Sequence, residues 1–560
     1  MPDQKVMVVG LDGATWDILC PMMDRGLMPN LLRLIGSGVS GTLRTTIPPI
    51  TGSAWPSFQT GMNPGQHGIF SFEDLVPGTY GRRIINSHSI HGEPVWSILS
   101  RHGKRVCVIN VPVTYPPRPV NGYLISCMLS PYGDHRITHP PELYEELIAA
   151  IGDYRTYVST PITPLGGVRR FVDELTFATR KRGEAAAWLL KQKGSFDFFM
   201  VHFQCLDPLQ HRALDYVDPR HPRYASRKPD DIAYVCEYYR LLDEMVGKVV
   251  EAADEHTTLI GLSDHGFGPV LKQVNINRFL QQQGLLRSRL ASGASQSLAK
   301  HLLGLARKLD VFQVREWLVE ERRNTILHRL VRERLRNSNK GAIIDWTGTK
   351  VFAWSAAGTF LGLHVNRRGR EAQGIVGDEE YEAVRAQVSG LLMQLADPET
   401  GARVVERVYR REELYHGPHI DRMPDLVVQP VEGYQLSPWF NGDLVFEPVT
   451  RIIGDHRMNG IVFFNGAHVR GRGTKVDEAN IMDIAPTVLF LLGVPVPSTM
   501  DGRVLSSVLD ADWLEAHPIE IEQRPPGELQ PAEAGERPTL SDAEEDVIRK
   551  RLAGLGYFES

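Results

Sequence analysis

The run Thr257–Leu262 and the four residues after it constrain the fold more than any other part of the chain. Its threonine, leucine and isoleucine residues predict a buried strand. Ser263 ends this strand, and Asp264 and His265 follow side by side before Gly266. Because ligands bind beyond the carboxyl ends of the strands in open α/β sheets, the pair is a candidate metal site. The alternative is that Asp264 caps a turn and that His265 is an ordinary surface histidine.

Two other apolar runs also end in a carboxylate. The first strand of the chain is followed by Asp12, which on its own is better explained as the cap of the next helix. A later run is followed by Asp207 and Pro208, with His211 four positions after Asp207. Proline favours the first helical position, so we predict Asp207 at the N-cap with His211 on the same helix face. Such a pair can bind one cation, although a capped helix with an incidental histidine has the same pattern.

A threonine at a helix start is the candidate for the reacting hydroxyl. Pro48 and Pro49 force an extended approach, Thr51 stands at the predicted N-cap, and Gly61 ends the helix. A hydroxyl there meets free N–H groups and the positive end of the helix dipole, which suits a phosphate or a developing alkoxide. The alternative is that Thr51 only caps the helix. His67, farther along, is interpreted as a turn residue and not as a ligand.

A fourth segment adds a histidine. His456 lies in a glycine-flanked loop before the apolar run 461–464, and Asp455 beside it is a candidate for orienting it. Mixed carboxylate and imidazole ligands suit Zn²⁺ or Mn²⁺ better than they suit ions that prefer thiolates or oxygen alone. Three aspartates and three histidines therefore make a two-cation site plausible: Asp12, Asp207, Asp264, His211, His265 and His456.

Three of these motifs together resemble the type I phosphodiesterase/nucleotide pyrophosphatase family of the alkaline phosphatase superfamily. They are the strand ending in Asp12, the Thr-x₈-Thr-Gly-x₂-Pro-x₂-His-Gly-Ile pattern from Thr51 to Ile69, and the Ser-Asp-His-Gly tip at 263–266. The resemblance is closest to the bacterial and archaeal branch of predicted phosphohydrolases or phosphomutases, and it runs from about Val6 to Gly502.

The resemblance implies two metal ions, usually zinc, with Mn²⁺ as the alternative. One ion would take Asp12, Thr51, Asp264 and His265, and the other would take Asp207, His211 and His456. It also implies that Thr51 is a nucleophile that forms a phospho-threonine, and that Gly52, Asn110 and Thr114 are candidates for substrate binding.

One position departs from the family pattern. Many nucleotide pyrophosphatases have an asparagine three positions after the nucleophile, and this chain has Ala54 there. The departure leaves the preference for diesters over monoesters open. A sulfatase would need a Cys-x-Pro-x-Arg-like context, which residues 51–55 lack, so sulfate esters are not expected.

The fold class that follows is α/β: an alkaline-phosphatase-like three-layer α/β/α core with a mainly parallel central sheet, plus an inserted helical lobe. We predict a catalytic domain in residues 1–280 and 341–510, interrupted by a basic helical lobe at 281–340 with thirteen Lys/Arg against five Asp/Glu. A Pro/Glu-rich linker at 511–539 and an amphipathic C-terminal helix at 540–560 complete the chain.

Composition narrows the function classes. A formal net charge of -5 and 42% apolar residues argue against a disordered protein and against a protein that coats nucleic acid. No apolar run reaches the roughly 18 residues that span a bilayer. Five cysteines without CxxC spacing favour a reducing cytoplasm. We expect a small phosphorylated substrate, with a nucleotide as one candidate, no specific nucleic-acid binding and no membrane span; a homo-oligomer is left open.

The leading hypothesis is a two-metal phosphohydrolase acting on a phosphodiester, nucleotide or related phosphate ester. A phosphomutase of the same superfamily is the first alternative, because it would return the phosphoryl group to the substrate. A catalytically silent binding protein that uses the basic lobe is the second.

Overall fold

The computed structural model describes residues 4–131, 135–158, 167–289, 344–357, 359–438, 445–449, 452–471, 475–524 and 540–555. The strands are β1 Lys5–Leu11, β2 Val39–Arg44, β3 Glu73–Leu75, β4 Arg82–Ile84, β5 Val106–Ile109, β6 Gly122–Ile125, β7 Thr138–His139, β8 Phe198–Phe203, β9 Thr257–Leu262, β10 Gly266–Asn275, β11 Val351–Ala357, β12 Phe360–Val365, β13 Val405–Arg410, β14 Leu426–Pro430, β15 Gly433–Ser437, β16 Phe446–Pro448, β17 Gly454–Arg457, β18 Asn459–Gly466, β19 Lys475–Asn480, β20 Val496–Pro497 and β21 Ile521–Glu522. The α-helices are α1 Trp16–Asp24, α2 Pro29–Ser37, α3 Thr51–Thr60, α4 Pro64–His67, α5 Val95–Arg101, α6 Leu143–Ile151, α7 Gly167–Gln192, α8 Leu206–Ala213, α9 Pro229–Val250, α10 Ile276–Gln282, α11 Asp378–Met393, α12 Arg411–Leu414, α13 Ile484–Leu491, α14 Ala511–Ala516 and α15 Asp542–Leu555.

A nine-stranded sheet forms the centre, in the order β19-β2-β18-β9-β1-β8-β5-β6-β7. Its middle, β9-β1-β8-β5-β6, is parallel throughout, whereas β18 and β7 pair antiparallel with their neighbours. The prediction of a mainly parallel central sheet is confirmed. Strands β8 and β9 are buried along their whole length, as expected for parallel strands that are covered on both faces.

The alternation of side chains along β1 defines the three layers. Val6 and Val8 belong to one buried hydrophobic cluster, which also contains residues of α3, α5 and α13. Met7 and Val9 belong to a second cluster, together with residues of α2, α7 and α9. Successive side chains of a strand point to opposite faces, so helices cover both faces of the sheet. The α/β/α core is therefore confirmed.

A second sheet brings a distant histidine to the tip of β9. Strand β10 begins directly after His265, and β17 pairs with it antiparallel so that Phe267 lies opposite His456. The pairing places two histidines that are far apart in sequence at the same edge of the central sheet. A further four-stranded sheet, β11-β12-β14-β13, packs with α11 around a third hydrophobic cluster.

The predicted domain boundaries remain predictions. Most of the basic lobe predicted at 281–340 lies outside the described residues. The first part of the predicted linker contains α14 and also β21, which pairs with β20. Helix α15 packs on the α7 side of the sheet, where Ile548 and Leu552 are fully buried. Among the helices of the described residues, none is long and apolar enough to cross a membrane.

Candidate functional site

The structure brings all seven predicted ligand residues to one edge of the central sheet. Neighbouring parallel strands end at the same edge, so the residues that follow β8, β1 and β9 converge there. Helix α3 contributes Thr51, and strand β17 contributes His456, which was predicted to lie in a loop. The residues are Asp12 after β1, Thr51 in α3, Asp207 and His211 in α8, Asp264 and His265 after β9, and His456 in β17.

Two details of the helix starts differ from the prediction. Thr51 is the first residue of α3, and Ile50, with an extended backbone, is the N-cap. Asp207 is the second residue of α8, whose N-cap is Cys205. Neither side chain caps its helix; each instead points to other members of the site. Pro208 is tolerated because the first helical turn needs no amide partner.

Asp207, His211 and His456 form the first group of ligand atoms. Nε2 of His456 lies 3.1 Å from Oδ1 of Asp207, and Nε2 of His211 lies 3.4 Å from the same oxygen. The two Nε2 atoms are 3.0 Å apart. Ligands at about 2.0 Å from a tetrahedral zinc ion are roughly 3.3 Å from one another. The spacing of this group therefore fits one bound cation.

The tautomers of these histidines point to a cation as well. Nδ1 of His211 lies 2.9 Å from the carbonyl oxygen of Gly454, and Nδ1 of His456 lies 2.8 Å from that of Pro49. A carbonyl oxygen only accepts, so each Nδ1 donates, and each ring turns its Nε2 towards Asp207 and towards the other ring. Two ring nitrogens that face each other at 3.0 Å are stabilised by a proton or a metal ion between them.

Asp12, Asp264, His265 and Thr51 form the second group. Nε2 of His265 lies 3.3 Å from Oδ2 of Asp264 and 3.7 Å from Oδ1 of Asp12. The Thr51 hydroxyl oxygen is 3.1 Å from the same Nε2 and 3.4 Å from Oδ1 of Asp12. Gly13 turns with a φ of 67°, and its N–H donates to Oδ1 of Asp264 at 3.1 Å. The glycine after β1 thus holds the carboxylate that follows β9.

The three carboxylates are buried and short of positive charge. Asp12, Asp207 and Asp264 are 0% exposed, and the Oδ2 atom of each accepts no hydrogen bond from the described residues. Burial, reinforced by the neighbouring carboxylates, raises the pKa of Asp12 well above its usual value and raises the pKa of Asp264 to about 6. Burial opposes ionisation of Asp207 too, but His211 and His456 lower its pKa. Buried carboxylate oxygens beside imidazole nitrogens fit bound divalent cations.

Sequence reasoning missed His202, a polar residue in the otherwise apolar strand β8. It is fully buried, its Nε2 lies 2.9 Å from Oδ2 of Asp12, and its Nδ1 donates to the Asn110 carbonyl oxygen at 3.1 Å. The Trp55 ring packs against it edge-on, with 4.6 Å between ring centroids. An imidazole in a buried run such as FFMVHF was the available signal.

Asp455, the predicted neighbour of His456, fixes the backbone there. Its Oδ1 accepts the His456 N–H at 2.8 Å, and its Oδ2 accepts from Nε2 of Gln435 at 2.8 Å. His67 is buried, accepts the Ile69 N–H at Nδ1 and faces the Ser57 hydroxyl at Nε2. Its bonds close a local turn, as expected from sequence.

The three predicted substrate residues lie in different surroundings. Gly52 faces Phe72 closely, because a Cβ there would lie 2.9 Å from the Phe72 amide nitrogen. Asn110 follows β5 with a φ of 60° and accepts at Oδ1 from the Tyr154 hydroxyl. The Thr114 hydroxyl donates to the Val111 carbonyl at 2.6 Å, so it holds its own turn. Substrate binding by these residues stays a prediction.

Comparison with known proteins gives one family and several similar structures. A model of the family "Type I phosphodiesterase / nucleotide pyrophosphatase" matches residues 6–457. No curated protein matches the chain.

Similar solved structures include phosphonoacetate hydrolase from Sinorhizobium meliloti 1021 in complex with phosphonoformate, with a TM-score of 0.52, 14% identity and coverage of 88% of this chain and 96% of that one. An inactive threonine-to-alanine variant of murine ectonucleotide pyrophosphatase/phosphodiesterase 5 with AMP has a TM-score of 0.51, 14% identity and coverage of 90% and 100%. The human protein of that name has a TM-score of 0.50, 12% identity and coverage of 91% and 100%. At these identities the likeness concerns the fold.

Proposed function

Because this chain belongs to the type I phosphodiesterase/nucleotide pyrophosphatase family and is thus a phosphoester hydrolase, we propose that it cleaves phosphodiester, nucleotide or related phosphate esters with two divalent cations and Thr51 as the nucleophile. One observation carries the proposal: three carboxylates and three imidazoles from four segments converge in contacting groups, and the Thr51 hydroxyl lies beside two of them, Asp12 and His265. All of these groups are buried at the edge of the sheet where ligands bind in α/β folds.

The side chains divide into two sets of ligands. Asp207, His211 and His456 would hold the cation whose ligand atoms are 3.0 to 3.4 Å apart. Asp12, Asp264 and His265 would hold the other, together with the Thr51 oxygen. Nitrogen and carboxylate ligands in these numbers suit Zn²⁺ best, with Mn²⁺ as the alternative. When bound, such cations lower the pKa of a coordinated hydroxyl, balance phosphoryl charge and activate water.

Thr51 would form and lose one bond to phosphorus. Its Oγ1 attacks the phosphorus atom in line, the ester oxygen leaves with its electron pair, and water then cleaves the phospho-threonine to release phosphate or a phosphate monoester. Burial of Thr51 at 0% exposure keeps bulk water away from this oxygen. The AMP complex of the murine relative, an inactive threonine variant, supports a nucleotide as the substrate class.

We place this reaction in the cytoplasm, because all five cysteines are free thiols and four of them are buried.

The test is hydrolysis of bis-p-nitrophenyl phosphate and p-nitrophenyl phosphate after chelation and return of Zn²⁺ or Mn²⁺. The Thr51→Ala variant should lose at least about 10³-fold in kcat, because no other hydroxyl replaces the nucleophile. Thr51→Ser should keep measurable activity, and Thr79→Ala, which removes an exposed turn hydroxyl, is the matched control.

Three outcomes would contradict the proposal. Thr51→Ala within about 10-fold of the parent would exclude the nucleophile. Untouched esters in the presence of either metal would indicate a silent binding protein. Conversion of a phosphorylated sugar into its isomer without release of phosphate would indicate a phosphomutase.

A further inference from the structure

Two arginines are buried beside the candidate active site, and the proposed reaction uses neither. Arg182 lies in α7 and is 1% exposed; Arg551 lies in α15 and is 4% exposed. Arginine is rarely buried without an ionised partner, because removing its charge from water is costly. In the described part of the chain, no carboxylate forms an ion pair with either guanidinium, so each calls for an explanation.

Arg182 makes little use of its donors. Its Nη2 donates to the Thr156 carbonyl oxygen at a long 3.4 Å. Its Nε and Nη1 make no hydrogen bond with the described residues. The charge of the guanidinium and a side-chain hydrogen bond from it lower the pKa of the Tyr154 hydroxyl and of the Cys205 thiol, against the larger effect of burial. Both neighbours are neutral groups, so neither supplies a negative charge to balance the guanidinium.

The guanidinium of Arg551 is fixed by several contacts, but some of its N–H donors have no acceptor among the described residues. Its Nη1 donates to the carbonyl oxygens of Met128 and Ser130, and its guanidinium carbon lies 3.3 Å from the centre of the Tyr157 ring. Its Nε and Nη2 make no hydrogen bond with the described residues. Burial lowers the pKa of this guanidinium to about 10, as expected for a charge without an ionised partner.

Polar side chains join the two arginines into one group. The Ser130 and Thr156 hydroxyls are 2.8 Å apart, and the backbone of each accepts from one of the arginines. The Tyr154 hydroxyl donates to Asn110, whose Nδ2 donor has no partner among the described residues. We call these residues the arginine cluster: Asn110, Ser130, Tyr154, Thr156, Arg182 and Arg551.

The arginine cluster adjoins the candidate metal centre. Asn110 follows β5, and β5 pairs with β8, the strand before Asp207. The Asn110 carbonyl oxygen accepts from His202, whose other nitrogen is 2.9 Å from Asp12. Both groups therefore lie beyond the carboxyl ends of adjacent parallel strands, in the crevice where substrates of α/β enzymes bind.

The chemistry of the arginine cluster selects for anions. Among the described residues, five nitrogen atoms of the cluster are buried donors without an acceptor: Nε and Nη1 of Arg182, Nε and Nη2 of Arg551, and Nδ2 of Asn110. A buried water molecule donates as readily as it accepts, so it satisfies such a group poorly. A carboxylate or a phosphate only accepts, matches the fork of a guanidinium and supplies the missing negative charge.

We propose that the arginine cluster is a second anion subsite, which binds a carboxylate or phosphate group that the substrate carries beyond the phosphoryl group being cleaved. The inference rests on the proposed hydrolase function and narrows it to phosphate esters with a second anionic group. Arg182 binds this group directly, and Arg551 ties the subsite to the C-terminal helix.

Matched inhibitors test the proposal on the metal-loaded full chain. Phosphonoacetate, 3-phosphonopropionate and 4-phosphonobutyrate are compared with the alkyl phosphonates of the same chain length as inhibitors of bis-p-nitrophenyl phosphate hydrolysis. At the best spacing, the terminal carboxylate should tighten inhibition about 10- to 100-fold, the range for a hydrogen bond between charged groups. Arg182→Met and Arg551→Met should each reduce that advantage to about 3-fold or less.

Controls separate this proposal from the proposed function. Arg180→Met in α7 and Lys550→Met in α15 remove exposed cations from the same helices and should keep the full carboxylate advantage. Absence of hydrolysis by the parent protein would overturn the proposed function itself. Hydrolysis without a carboxylate advantage at any chain length, or an advantage that survives both arginine variants, would overturn the subsite alone.

Two further measurements exclude other roles of the arginines. An equimolar mixture of propionate and propylphosphonate should inhibit no better than propylphosphonate alone; equal potency of the mixture and the linked compound would indicate a site for a free anion. The metal-free Arg182→Met variant should have a Tm equal to or above that of the parent, because a buried unpaired charge has been removed. A clear fall in Tm, with the carboxylate advantage kept, would mean a purely structural arginine.

Discussion

Asp264 and Asp425 are both fully buried aspartates, and their surroundings are opposite. Asp425 accepts from Nη1 and Nη2 of Arg370 at 2.8 and 2.6 Å, from the Tyr381 hydroxyl at 2.6 Å and from the Val365 N–H at 2.7 Å. Burial raises its pKa, but Arg370 outweighs burial and lowers it to about 2. Asp264 has one backbone N–H at Oδ1, no donor among the described residues at Oδ2, and a pKa raised to about 6.

The difference separates a structural carboxylate from one kept for a ligand. The protein itself neutralises Asp425, so that carboxylate stabilises the sheet β11-β12-β14-β13. In the described part of the chain, no arginine or lysine pairs with Asp264 or Asp12, and imidazole nitrogens of His265 and His202 lie beside them. Such an arrangement lowers the free energy of unfolding of the metal-free protein, and cation binding raises it again.

The Asp264→Asn variant should show the largest effect on activity. Loss of this carboxylate removes a proposed ligand of the cation beside Thr51, so kcat/KM should fall by at least about 10³-fold. The metal-free variant should be no less stable than the parent, since a raised pKa marks an unfavourable buried charge. Steady-state kinetics and thermal unfolding of both forms test this, and a marked loss of metal-free stability would mean that Asp264 is structural.

The Asp425→Asn variant should behave in the opposite way. It removes the buried negative charge that pairs with both Nη atoms of Arg370 and leaves that guanidinium with Glu371 as its ion-pair partner among the described residues, so the free energy of unfolding should fall by about 3–5 kcal/mol. The kcat of the protein that remains folded should stay near that of the parent. Denaturant unfolding measures the free energy of unfolding, and active-site titration with metal gives the concentration of folded enzyme from which kcat is calculated. Unchanged stability would show that Asp425, contrary to our proposal, is no more structural than Asp264.

His202→Gln should weaken metal binding without removing a proposed ligand. The imidazole bridges Asp12 and the Asn110 backbone, and loss of such a supporting contact costs about 10- to 100-fold in metal affinity. Competition with a chromogenic chelator gives the affinity, and His256→Gln, at an exposed histidine, is the control. A metal affinity equal to that of the parent would mean that His202 only packs in the core and does not support the metal ligands.

The pH dependence of stability gives the smallest effect. Asp264 has a folded-state pKa of about 6, above its unfolded value of about 3.9, so its contribution to metal-free stability is present below that value and is lost as the pH rises through about 6. Zinc needs the ionised carboxylate, so the rise in Tm on adding Zn²⁺ should grow between about pH 5 and pH 7. Asp425, with a pKa of about 2, loses its contribution only as the pH falls from about 4 towards 2. A zinc effect on Tm that is independent of pH would contradict the raised pKa of Asp264, and with it the difference from Asp425.

Much of the candidate site was predictable because its signals are local. The strand tips at Asp12, Asp207 and Asp264 follow apolar runs, and parallel strands end at a common edge. The helix starts were wrong by one or two residues, since capping depends on the backbone angles of Ile50 and Cys205. His202 was missed because its role depends on a contact with the neighbouring strand, which its own segment does not reveal.

By itself, the sequence determined the residue types of the site and the strands that end at Asp12, Asp207 and Asp264, because these follow from local hydrophobic periodicity and from side-chain chemistry, and its resemblance to a family implied the parallel core. Only the tertiary structure decided which nitrogen of His211 and of His456 faces the other ligands, since a carbonyl oxygen from another segment bonds to the other nitrogen. It alone also decided that Asp425 has a counter-ion and that Arg182 has none among the described residues, because the partner of a buried charge comes from whichever segment packs against it.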